Sequence, residues 1–219
     1  MNASAIEHNK IIQDGTTFLA AKGYLNLTED EKIKAISFHF REIMEVLGLD
    51  LTDDSLSSTP HRVAKMYVEE LFQGLTDQSF PKISTFNNTY KYEEMLIEKD
   101  IEVFSYCERH FMPFTGRAHV AYFPGKKVIG LSKINRLVKY LSRRPQIQER
   151  LTQEIAASLK EILQNEDVAV TIEAKHFCVA ARGIEDTNSI TITNDLSGRF
   201  KYHENRDLFF SSIRSAVCC

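Results

Sequence analysis

No apolar run in this sequence is long enough to span a bilayer, and Met1 to Lys10 lack the apolar core of a secretory signal. A cytoplasmic chain that enters no membrane is expected. Charge of one sign is missing too: 27 lysines and arginines face 30 aspartates and glutamates, net −3, which leaves no electrostatic footprint for nucleic acid. Cysteine is scarce, four in 219 residues, and in a cytoplasmic setting such thiols serve as metal ligands more readily than as disulfides. Cys218 and Cys219 carry no matching lipidation motif and are expected as exposed thiols. There is no internal repeat and no low-complexity stretch. The length, by contrast, suffices to bury a core unaided, as one large domain or a domain with a helical arm.

The other two cysteines each have a histidine close by. Cys107 and His110 make a Cys-x-x-His pair, and about seventy residues later His176 and Cys178 make a His-x-Cys pair, spacings to be judged as zinc ligands. A closed structural zinc site would take all four groups. In an extended segment, residues two apart point the same way, so His176 and Cys178 can face one centre. Three of the four groups can then hold zinc while the remaining imidazole moves protons and one position stays open for water. On spacing alone, two buried cysteines with unrelated surface histidines is an equal alternative.

Around these pairs the pattern predicts an α+β fold. Thr28 and Glu31 form a capping box ahead of Ile33, Ile36, Phe40, Ile43 and Leu47 at helical spacing, with Gly48 as the stop. Thr59 as N-cap and Pro60 behind it predict a second helix through Val63, Tyr67 and Leu71 to Gly74. Leu75 to Thr89 is a connection, so residues 1–90 are an N-terminal helical region and 91–219 a second unit of strands around two helices. Ile97 to Tyr106 and Arg117 to Phe123 are an antiparallel pair about a turn containing Pro113 and Gly116. One helix covers Ser132 to Leu141; Pro145 opens another through Ile147, Leu151, Ile155, Leu159 and Ile162. Val168 to Ala174 and Ser189 to Thr193 form a second strand pair, with both helices on one sheet face.

Five segments, Ser55–Tyr67, Tyr106–Gly116, Val128–Arg136, Arg144–Thr152 and Glu173–Gly183, resemble GTP cyclohydrolase I in order and spacing, so the likeness runs from about Glu31 to Phe200. One position departs: the family motif is Cys-Glu-His-His, and Arg109 stands here in place of its first histidine. The resemblance implies the T-fold, whose sheets join around a ring of subunits, and a homo-oligomer, decameric by likeness. It implies zinc held by Cys107, His110 and Cys178, with His176 as proton donor. Glu149, in the Gln148-Glu149 step, matches the guanine-binding carboxylate. Arg62, Lys65, Lys133, Arg136 and Arg182 match triphosphate contacts, and Ser132 a ribose contact. The implied reaction is hydrolysis of GTP at C8, releasing formate and forming 7,8-dihydroneopterin triphosphate, the first step of pterin and tetrahydrofolate biosynthesis. Sites completed between subunits are implied, with the guanine carboxylate and the metal pairs on different chains. Arg109 offers only donors and cannot exchange a proton as imidazole does, so impaired later steps are expected. Two alternatives remain: a paralogue or variant that stops at a ring-opened pyrimidine, and a zinc-containing pseudoenzyme that binds GTP or a pterin. The retained ligands, His176 and Glu149 argue against the second.

Overall fold

A computed structural model describes residues 27–76 and 79–214; Cys218 and Cys219 lie outside the described residues. Helix α1 (Glu29–Val46) starts at the expected capping box. Thr28 N donates to Glu31 Oε2 at 2.8 Å and Glu31 N to Thr28 Oγ1 at 3.3 Å, while three acidic residues occupy the positive first turn. Gly48, at φ +79°, takes the left-handed conformation just past its end. Helix α2 (Thr59–Met66) corrects the cap assignment by one residue. Ser58 O already accepts from Arg62 N at 3.1 Å, which makes Thr59 the first helical residue, and no side chain caps it. The chain then widens into a π turn (Tyr67–Leu71) and tightens into a 3₁₀ turn (Gln73–Leu75).

The connection carries a strand that the sequence pattern did not show: β1 (Thr85–Asn87) pairs antiparallel with β4 (Lys127–Ile129) as a separate ribbon. The main sheet has the order β5-β2-β3-β6-β7, from β2 (Leu96–Cys107), β3 (Pro113–Tyr122), β5 (Pro145–Gln146), β6 (Val168–His176) and β7 (Thr191–Leu196). Both expected strand pairs are present, joined through β3 and β6. Pro113 and Gly116 are strand residues and the turn is Glu108–Met112. A Cβ on Gly116 would lie 1.9 Å from Glu173 O and 2.6 Å from Ala174 Cα, so that glycine serves the close approach of β3 to β6. Pro145 likewise does not open a helix. It lies with Gln146 parallel to Tyr106 and Cys107.

Helices α3 (Leu131–Ser142) and α4 (Gln148–Leu163) cover one sheet face as expected. Ile134, Leu137, Leu151, Ile155 and Leu159 meet Val103, Phe114, Val120, Val170 and Ile172 there with essentially no exposure. Each such aliphatic side chain contributes roughly 1.5–3 kcal/mol. The opposite face is not bare. Ala121 and Ala169, on the alternate side of β3 and β6, pack with Phe123 and Phe200 under Phe209 of a C-terminal helix, α6 (His203–Arg214). The chain is thus α+β, with a third helix on the second face. Among the described residues, no helix is long and apolar enough to cross a membrane.

Candidate functional site

Cys107 is the last residue of β2, and the chain reverses directly after it. Cys107 N donates to Met112 O at 2.8 Å, while His110 N and Phe111 N both donate to Cys107 O, at 3.2 and 2.8 Å. Phe111 closes the turn at φ +52°, with its ring edge-on to Phe72, centroids 5.8 Å apart. The turn brings His110 Nδ1 to 3.7 Å from Cys107 Sγ.

Cys178 arrives from the other side by a route the alternation rule did not foresee. β6 ends at His176, and Phe177–Ala180 form a short helix, α5, so His176 and Cys178 do not share a strand face. The donor atoms of Cys107, His110 and Cys178 lie within 4.8 Å of one another. Tetrahedral zinc with bonds of about 2.0–2.3 Å wants its donors about 3.5–3.8 Å apart, a small contraction from here. Burial, then the neighbouring Cys107, push the Cys178 thiol above its ordinary range. Two sulfur donors and an imidazole within this reach are a donor set that fits a thiophilic divalent metal.

His176 stands outside that cluster. Its ring stacks on Phe114, centroids 4.6 Å apart and planes 15° from parallel, and Nε2 lies 2.8 Å from Gln148 Oε1. Gln148 is fully buried, and its Nε2 donates to Ile172 O, Thr191 O and Thr193 Oγ1 at 3.0, 3.0 and 3.1 Å. Those three acceptors fix the amide, so its oxygen faces the imidazole and His176 carries hydrogen on Nε2. Nδ1 is left as the nitrogen that exchanges protons. Burial lowers the His176 pKa, with the Glu149 carboxylate opposing.

The remaining candidates scatter. Glu149 is exposed beside buried Gln148 on the first turn of α4, and its charge acts on His176 of the same chain. Within one chain the carboxylate therefore stands near the imidazole. Gln148 itself, a candidate for substrate binding, is buried. Arg182 is exposed past α5, where its charge acts on Cys178. Arg109 is exposed on the turn, without a hydrogen bond or ion pair among the described residues. Ser132, Lys133 and Arg136 begin α3, and Arg62 and Lys65 lie on α2; among the described residues no hydrogen bond or ion pair joins any of them to the cysteines or His176. Lys65 reaches Glu69 at 3.7 Å instead. An open cleft of about 520 Å³ beside β2, lined by Glu98, Lys99, Asn135, Lys139 and Arg143, holds none of the candidate residues.

Sequence reasoning missed Arg150. Its Nη2 donates to Glu108 Oε2 at 2.6 Å and to Pro145 O at 3.2 Å, and its Nε to Gln146 Oε1 at 3.0 Å. The i,i+4 spacing of Arg150 and Glu154 was the available signal, and it pointed along the helix rather than toward the turn.

A sequence model of the family described as GTP cyclohydrolase I matches residues 36–214. The chain is 51% identical over 189 residues to GTP cyclohydrolase 1 of Flavobacterium johnsoniae, spanning 86% of this chain and 85% of that one. It is 55% identical over 175 residues to the GTP cyclohydrolase 1 of Aeromonas salmonicida, 80% of each chain. To that of Citrobacter koseri it is 46% identical over 212 residues, 96% of each.

Proposed function

The chain belongs to the GTP cyclohydrolase I family and is an enzyme of that type, and from that premise we propose how its residues divide the work. The observation that carries the proposal is the convergence of Cys107, His110 and Cys178 beside an imidazole that the protein orients separately. Zinc held by those three residues would supply the Lewis acidity that makes water nucleophilic toward the purine C8 at neutral pH. Glu149 accepts hydrogen bonds from the guanine N1–H and 2-amino group. His176, anchored at Nε2, moves the proton at Nδ1 as the imidazole ring of guanine opens and C8 leaves as formate. Ser132 contacts the ribose, and Arg62, Lys65, Lys133, Arg136 and Arg182 neutralise the triphosphate of GTP, giving 7,8-dihydroneopterin triphosphate as product.

Among the described residues, Arg62, Lys65, Lys133 and Arg136 have no bond to the cluster within one chain, which supports sites completed between subunits of a cytoplasmic homo-oligomer. Among the described residues the main sheet also has two open edges, β7 and the stretch of β2 before Tyr106, as a T-fold ring of subunits requires. The decamer and the division at residue 90 are part of the same proposal. Incubation with GTP tests the whole: formate release together with pterin fluorescence is expected, and neither would appear from a binding module.

Arg109 favours a second reading. It lies next to His110, exposed and unpaired among the described residues, where the family likeness calls for a proton-exchanging histidine. Formate without pterin fluorescence would identify a chain that opens the ring and stops.

A further inference from the structure

The turn Glu108–Met112 is closed by its own backbone bonds to Cys107, but its tip lies in solvent. Arg109, His110 and Phe111 are all exposed, and Phe111 sits in a left-handed conformation uncommon for its type. Outside the turn's own bonds, Glu108 ties it to the rest of the fold twice. Glu108 N donates to Gln146 O at 3.0 Å, and Glu108 Oε2 accepts from Arg150 at 2.6 Å. Arg150 is itself fixed from behind by Gln146, Pro145 and, at 3.9 Å, Glu154. Glu154 is buried and also accepts from Arg144 at 3.0 Å and Gln146 at 2.8 Å. Two cations and two carboxylates therefore balance, and Arg150 is the bridge between the buried carboxylate and the one on the turn.

We propose that Arg150 is a positioning residue for the metal centre: through Glu108 it sets the turn that carries Cys107 and His110. The inference rests on reading Cys107, His110 and Cys178 as ligands. The pair is about a quarter exposed on each side, 25% and 28%, where ion pairs add little to global stability, so its effect is local order. The planar guanidinium is needed because it serves Glu108, Gln146 and Pro145 in three directions at once, which an ammonium on a flexible stem does not reproduce. Gln148, on the same helical turn, fixes His176, so the first turn of α4 registers both arms of the site.

The test is zinc affinity of the purified full chain by chelator competition, with the absorption spectrum of the cobalt-substituted protein as a second readout. Arg150→Met and Glu108→Gln should each weaken zinc about tenfold to a hundredfold, as loss of a group that orients a metal ligand does, and alter the cobalt bands. The double variant should be no weaker than the worse single one, and Arg150→Lys, which keeps the charge, should not restore wild-type affinity. Unchanged affinity and spectrum in both single variants overturns the proposal. So do opposite signs, Arg150→Met tightening and Glu108→Gln weakening, because the pair would then act through charge alone. If Arg150→Met does not fold, Glu108→Gln on the surface turn decides the matter. Absence of stoichiometric zinc from the unsubstituted chain removes the metal reading itself, and this inference with it.

Discussion

The two arms of the site are held by opposite means. The strand-end arm is half-buried and rests on buried groups: His176 lies between Phe114 and Gln148, and Gln148 is anchored to the backbone of β6 and to β7. The turn arm is exposed, and the Glu108–Arg150 ion pair and the edge contact of Phe111 with Phe72 tie its side chains to the body of the protein. The contrast teaches which group depends on what. A bound metal would itself position His110, whereas His176, outside the ligand set, has only the protein to position it.

Breaking each arm should therefore give different losses. Cys178→Ala removes a donor from a three-donor set, and metal analysis should find zinc largely gone. Full occupancy in that variant would take Cys178 out of the set. His176→Ala should keep its zinc and lose about 10²–10⁴ in turnover, the usual contribution of a general acid–base group. Zinc loss in that variant would mean that ligand and acid have been exchanged.

Gln148→Met probes the strand-end arm more gently. The thioether cannot donate to Ile172 O or Thr191 O, so stability should fall by about 1–3 kcal/mol. The imidazole, no longer oriented, should lose about 10- to 100-fold in turnover at unchanged zinc content, the size seen when an orienting partner is removed. Equal turnover in the variant would mean that stacking on Phe114 alone suffices.

The same contrast explains what could be seen in the sequence. The capping box at Thr28, the four long strands and both helices of the first sheet face are local patterns, and all were legible. The donor set was legible as a spacing, with the roles coming from the family likeness. Pro113, Gly116 and Pro145 misled because their backbone follows from a neighbouring strand's approach, which local residue preferences do not contain. The short helix after His176 was hidden for a related reason: four residues are too few to show a period. The bonds of Gln148 to His176, Thr191 and Thr193 and of Arg150 to Glu108 join residues 28 or more positions apart, and no local pattern encodes such pairings.

Arg109 is exposed on the turn arm and bonds to nothing among the described residues, so replacing it disturbs little else. Arg109→His should raise pterin output at least about tenfold if a general acid–base group is thereby restored, while formate release rises less. Pterin formation unaffected by the change would show that arginine is tolerated there.

The smallest effect separates chains rather than residues. Glu149 acts on His176 within one chain, so guanine recognition and the metal arms should be inherited together, while Lys133 and Arg136 on α3 are unconnected to them. Mixing inactive Cys107→Ala subunits with inactive Glu149→Ala subunits under exchange should then restore nothing. Mixing Cys107→Ala with Lys133→Ala/Arg136→Ala should restore up to about a quarter of wild-type activity, because in a random ring one interface in four pairs an intact metal arm with an intact cation cluster. Recovery in the first mixture would put Glu149 across an interface from the cysteines. No recovery in the second, with subunit exchange demonstrated by mass, would place the α3 cations on the same chain as the metal and end the composite-site reading.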